Sequence, residues 1–178
     1  VYEDSDISSS SCINSGTTFA MTAGTVLLKS SGSAGKGLNC DGEIYLYGGT
    51  LRVVTTGKQY VYGRLDSSAK GIKSKSSLTI ESGTIWVRAT GGEGSEGIES
   101  KNVMTINGGD IAVYAYDDCL NASNNITING GSVYCYSTGN DGVDSNGTLT
   151  ITGGTVVASG TASPEDGFDC DQNTFKIT

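Results

Sequence analysis

Seven times along the chain an apolar residue is followed, two positions later, by a small one. The leading residue is Ile13, Leu38, Ile72, Ile98, Leu120, Val143 and Phe168, and the small one is Ser15, Cys40, Ser74, Ser100, Ala122, Ser145 and Cys170. In six copies an apolar pair follows at a fixed distance: Phe19/Met21, Ile44/Leu46, Leu78/Ile80, Met104/Ile106, Ile126/Ile128 and Leu149/Ile151. A glycine comes next, at Gly24, Gly49, Gly83, Gly109, Gly131 and Gly154, and then a second apolar alternation. That alternation is Val26/Leu28, Leu51/Val53, Ile85/Val87, Ile111/Val113, Val133/Cys135 and Val156/Ala158. In the seventh copy Phe175 and Ile177 take the place of the first pair, with one extra residue before them.

The copies are spaced by 25, 34, 26, 22, 23 and 25 residues, which is the signature of stacked repeats. Alternation with period two denotes strands, since successive side chains point to opposite faces. A unit of about 22 residues holding three short strands and no helix fits one coil of a parallel β-helix. The leucine-rich frame is absent, and a propeller blade needs about 40 residues. The expectation is an all-β parallel β-helix of about seven coils with an incomplete last coil. It forms a single domain over residues 1–178, cut from a longer secreted protein. Each repeat glycine marks a corner with positive φ.

Composition narrows the function classes. A net charge of −8 and a pI near 4.4 exclude nucleic-acid or anionic-membrane binding through bulk charge. No apolar run is long enough to span a membrane. Histidine is absent, which removes Cys/His zinc sites and His-based triads. The Ser/Thr/Asn/Gly-rich surface suits an extracellular or cell-surface monomer. Five cysteines are present. Cys40 and Cys170 share an inward column five coils apart, Cys135 is inward on another strand, and Cys12 and Cys119 fall in a corner column read as outward. Disulfides need Cα atoms within about 7 Å, so five free thiols are expected.

The corner before each leading residue is acidic from the fourth copy onward. Glu96, Asp118, Asp141 and Asp166 stand two residues before it, with Asp117, Asn140 and Glu165 preceding three of them. Glu99, Asn121, Asp144 and Asp169 stand one residue after it, and Asn146 and Asp171 three after it. All are read as facing outward. Stacked carboxylates about 4.8 Å apart repel one another unless a cation lies between them. Ca²⁺ takes 6–8 oxygens at about 2.3–2.6 Å, so an ion between coils can bond both levels. The alternative is a solvated turn in which Asp and Asn serve as turn formers.

The third copy replaces the acids with Lys70 and Lys73, which stack on Glu96 and Glu99. They read either as surface ion pairs of small worth or as groups gripping an acidic sugar polymer. A lysine acting as base in β-elimination would need a depressed pKa, which neighbouring carboxylates oppose. Outward positions on the post-glycine strand carry Trp86, Arg88, Tyr114, Tyr134 and Tyr136. They suit either sugar stacking or cross-strand packing. The long second spacing places extra residues in a 56–69 loop bearing Tyr60 and Tyr62, a candidate wall or lid.

The segments ITINGG, NDGVDSNG and PEDGFDCD together resemble a clostridial family of carbohydrate-binding β-helix proteins from cellulolytic bacteria. The resemblance implies a right-handed, pectate-lyase-like β-helix and a bacterial extracellular protein. It also implies bound Ca²⁺ on Asp141, Asp144, Asp166 and Asp169, and cellulose or acidic plant polysaccharide as partner. The reading favoured is therefore a non-catalytic, calcium-stabilised polysaccharide-binding module. The alternatives are a calcium-dependent polyuronate lyase, or a structural adhesin or spacer without a glycan ligand.

Overall fold

The computed structural model describes residues 10–178. The alternating repeats build three parallel sheets that wind around one core. The first sheet stacks seven strands, from Ser11–Ser15 through Lys36–Cys40, Ile72–Ser74, Ile98–Ser100, Leu120–Ala122 and Val143–Ser145 to Phe168–Asp169. The second also stacks seven, from Thr18–Met21 to Phe175–Ile177, and the third six, from Thr25–Ser30 to Thr155–Ser159. No α-helix occurs among the described residues, and no helix is long and apolar enough to cross a membrane.

The register follows the repeat residue for residue. Ile98 pairs with Ile72 and Leu120, Leu78 with Ile44 and Met104, and Val113 with Val87 and Cys135. Phe175 and Ile177 pair with Leu149 and Ile151, so the extra residue of the seventh copy is absorbed in the turn. Each inward side chain therefore packs on an equivalent one above and below, giving columns of buried Ile, Leu and Val. The small inward residue has a polar task as well. Ser74, Ser100 and Ser145 are fully buried, and their hydroxyls donate to turn carbonyls of the preceding coil at Gly42, Ser76 and Asn124. A buried hydroxyl left without such a partner would be costly.

All six repeat glycines have φ between 86° and 107°. At Gly83 a Cβ would also meet the Gly49 carbonyl at 2.8 Å, so the stacking of corners adds to the conformational demand. A second glycine column was not anticipated. Gly37, Gly71 and Gly97 each precede a leading apolar residue, and a Cβ there would fall 2.1–2.3 Å from a valine Cγ1 of the third sheet. That position faces the interior, so the expected outward placement of Cys119, which shares it, is corrected: Cys119 is buried. All five cysteines are free. Gly97→Ala should cost about 1–3 kcal/mol by urea denaturation, since the Cys119 carbonyl and Val113 leave no room. Gly16→Ala, with nothing within 4 Å, should stay within about 0.5 kcal/mol of the parent.

Candidate functional site

Two features on adjoining faces draw in the candidate residues: the corner where the third sheet turns into the first, and the outer face of the third sheet. The corner departs from expectation first in its burial. Lys70, Glu99, Asp118 and Asp141 face solvent in the sequence reading, yet all are buried, as is Lys36 two residues before Leu38. Loops on this corner cover the two lysines. The 56–69 insertion folds into an antiparallel hairpin of Tyr60–Tyr62 with Leu65–Ser67. From it, Ser67 Oγ accepts a hydrogen bond from Lys36 Nζ at 3.1 Å. The Gly94 carbonyl of the next loop accepts from Lys70 Nζ at 3.1 Å. The insertion is thus a wall over the basic coils. Tyr62 on its hairpin stays exposed and Tyr60 is half-buried.

Under this wall lies an ionic knot. Lys70 pairs with Glu96, as the stacking predicted. Glu99, fully buried, is surrounded by Lys73 at 3.1 Å, Lys70 at 3.5 Å and Lys101. Burial by itself pushes Glu99 up, but Lys70 and Lys73 outweigh it and hold the carboxyl below its ordinary value. Burial pushes Glu96 up against the pull of Lys70. These are not the surface ion pairs the sequence suggested, and breaking a buried pair is far costlier than breaking an exposed one. Burial also lowers Lys73, and it brings Lys36 down to about 8 with help from Lys73 and Lys70. Desolvation therefore overcomes the carboxylates that were expected to raise these lysines. Glu96 and Glu99 spend their charge on lysines, which sets them apart from the acids of the later coils.

Farther along the same columns the cations stop. No ammonium group comes within ion-pair distance of Asp118, Asp141, Asp144 or Asp169 among the described residues. Carboxylate oxygens of Asp141, Asp144 and Asp169 lie within 4.8 Å of one another, bringing together neighbouring coils. Amides hold the group in place. Asn121 Nδ2 donates to both Asp118 and Asp144 at 2.9 Å. Asn140 Nδ2 donates to Asp117 at 2.7 Å, and the Gly94 N–H donates to the other Asp117 oxygen at 2.6 Å. The Asp141 N–H donates to Asp118 at 3.1 Å, and the Asp166 N–H to Asp141 at 2.5 Å.

Burial pushes Asp118 up to about 8, against the hydrogen bond from Asn121. Burial, then Asp141 and Asp169, push Asp144 up to about 7, and burial raises Asp141. Crowded, desolvated carboxylates of this kind favour uptake of a cation or a proton. Asp166, Asn146 and Asp171 are exposed and Glu165 is half-buried, so they border the cluster rather than fill it. The Asp171 N–H donates to Asp169 at 3.0 Å, with Asp171 at φ 51°.

The outer face of the third sheet carries the aromatic residues. The register sets Trp86 beside Ala112 and Arg88 beside Tyr114, and Tyr134 and Tyr136 follow on the next strand. Ring centroids run from Trp86 to Tyr114 at 6.5 Å, then to Tyr134 at 5.8 Å and Tyr136 at 6.2 Å. The Arg52 guanidinium sits 5.1 Å from the Trp86 ring, which half-buries that indole. Such pairs stabilise one another, so the sheet-packing role is real. It leaves the rings open nonetheless: Tyr114, Tyr134 and Tyr136 remain about 40 % exposed, at 38 %, 39 % and 42 %. Tyr116, also exposed, extends the strip toward Asp117 and the acidic corner. The sequence reading passed over it, although Tyr114 and Tyr116 continue the same alternation. Lys70 and Lys73, also considered for sugar contact, lie apart from the strip, in the knot.

The chain is thus a parallel β-solenoid with an exposed aromatic strip beside a buried carboxylate column. Residues 59–142, just under half of the chain, match a family model described as a carbohydrate-binding domain-containing protein. That segment includes Trp86, Tyr114, Tyr116, Tyr134 and Tyr136, and the match supports glycan binding. No curated protein and no solved structure matches the chain.

Proposed function

We propose that this β-helix is a non-catalytic polysaccharide-binding module that uses the strip of Trp86, Tyr114, Tyr116, Tyr134 and Tyr136 as its glycan platform. The observation that carries this reading is the contiguous run of open aromatic rings on rigid strands, inside the segment that matches a carbohydrate-binding family. An aromatic face packs against the apolar C–H face of a pyranose ring, and the parallel strands hold successive rings at defined separations. Arg52 and Arg88 beside the strip supply cations for an acidic sugar, so pectin-like polyuronate and cellulose are the ligand classes put forward.

Calcium belongs to the same proposal. The donor set fits a hard divalent cation: three carboxylates, with carbonyl- and amide-rich turns around them and no histidine. Asp141, Asp144 and Asp169 would hold the ion, which would supply charge neutralisation between coils. The residues of the chain do the rest. Asn121 orients Asp118 and Asp144, and the aromatic strip contacts the sugar.

The test is retention on insoluble cellulose and on immobilised polygalacturonate. Wild-type protein should be retained on at least one of them. Tyr114→Ala with Tyr134→Ala should weaken binding by about tenfold or more, the effect expected when central aromatic contacts are lost. No ultraviolet-absorbing unsaturated product should form from polygalacturonate. Retention unaffected by the double substitution would remove the strip from the site.

A further inference from the structure

The fifth coil departs from a pairing that four other coils share across the corner of the first and third sheets. In four coils a glycine of the first sheet faces an aliphatic residue of the third: Gly37 with Val53, Gly71 with Val87, Gly97 with Val113 and Gly142 with Ala158. At the first three a Cβ would come within 2.1–2.3 Å of the valine Cγ1, so a side chain and a valine exclude each other there. The fifth coil changes both halves of the pair. Cys119 stands in the glycine column, its carbonyl accepting from the Ile98 N–H as the column requires. Cys135 stands in the valine column, in register with Val113 and Ala158.

The spacing of this corner matches a known covalent geometry. A Cβ built on Gly37 lies 3.5 Å from the Val53 Cβ. Disulfides hold their Cβ atoms about 3.5–4.5 Å apart. Cys119 and Cys135 are both fully buried, and Cys119 Sγ donates to the carbonyl of Val113 at 3.4 Å, the residue stacked on Cys135. The neighbouring Cys119 thiol, and then burial, push the Cys135 thiol well above its ordinary value. Cys12 occupies the same column in the first coil, but it is exposed and its thiol donates to the Lys29 carbonyl at 3.3 Å.

We infer that Cys119 and Cys135 form a disulfide within one coil when the chain folds in the presence of a disulfide oxidant, either a small-molecule disulfide or a thiol oxidoreductase. One thiolate attacks the oxidant's disulfide and expels one thiol. The second thiolate then attacks the mixed disulfide and expels the other. Two S–H groups are lost, one S–S bond is gained, and the oxidant leaves as two thiols. The bond clips the first sheet to the third in a single coil. Since neither sulfur reaches solvent in the folded chain, the exchange takes place as the coil closes. This inference is independent of any glycan ligand.

The experiment refolds the full chain from denaturant in a glutathione redox buffer. Free thiols are alkylated under denaturing conditions, the protein is then reduced, and the newly freed thiols take a second label of different mass. Cys119 and Cys135 should carry the second label, and Cys12, Cys40 and Cys170 the first. Adding reductant should lower the Tm of the oxidised protein by about 5–10 °C, the size expected for a loop of this length. The double substitution Cys119→Gly with Cys135→Val restores the pair used by the neighbouring coils. It should fold and show no dependence on reductant. The first label on Cys119 or Cys135 after oxidative refolding overturns the inference, and so does a double variant as sensitive to reductant as the parent.

Discussion

Glu99→Ala should destabilise the β-helix by about 3–5 kcal/mol, lowering Tm on the order of 10 °C. Glu99 is fully buried, and three ammonium groups converge on its carboxylate. Removing it does not simply delete an attraction. It leaves Lys73, 17 % exposed, without a carboxylate partner, and Lys70, 10 % exposed, with Glu96 alone, the two ammonium groups desolvated beside each other and beside Lys36. Like charges held together with too few counter-charges cost far more than an exposed pair returns. Lys75→Ala is the control. Its side chain and that of its partner Asp41, 2.7 Å away, are 46 % and 44 % exposed, so water replaces the lost partner and the cost should stay below about 1 kcal/mol. Equilibrium urea unfolding of the two variants separates these cases. A Glu99→Ala protein within 1 kcal/mol of the parent would show that the knot carries no structural weight.

The contrast between those variants also marks how far the residue pattern reaches. The inward columns were legible because a β-helix packs like on like: Ile13, Leu38, Ile72, Ile98, Leu120, Val143 and Phe168 had to stack once the strands were parallel. The stacking of Lys70 on Glu96 followed from the same register. Burial of the corner did not follow, because it depends on what covers it. Ser67 and Gly94 reach over the lysines from loops whose sequences carry no period. Local alternation also misplaced Cys119, since the corner turns that backbone inward. The tightness of the site showed only in the glycines of the same column, whose missing Cβ atoms would strike valine. The aromatic strip was visible as alternation, but the diagonal contact of Trp86 with Tyr114 needed the sheet.

Ca²⁺ should raise the Tm of the wild-type protein by about 5–10 °C over its value in chelator. An ion that binds only the folded state stabilises it by about 2.7 kcal/mol at one hundred times its Kd, and in a chain of this size each kcal/mol moves Tm by about 2–4 °C. Asp144 is the residue to change. Its register partner on the seventh coil is Asp169, Asp141 lies on its own coil, and burial and these neighbours already push its carboxyl up to about 7. Asp144→Asn keeps the shape and the hydrogen-bonding reach of the side chain while removing one of three crowded charges. Two effects of opposite sign should result. In chelator the variant should melt at or above the temperature of the parent, because like-charge repulsion in a desolvated cluster is relieved. With Ca²⁺ added, the variant should gain little, because the ion has lost an anionic ligand shared between coils. Tyr114→Ala should keep the full calcium response, since it lies on the other face. A solvated acidic turn predicts something different: no calcium response in the parent, and no difference between parent and Asp144→Asn beyond a few tenths of a kcal/mol. Thermal melts of the three proteins with and without Ca²⁺ decide between a cation that joins two coils and a turn that merely favours aspartate.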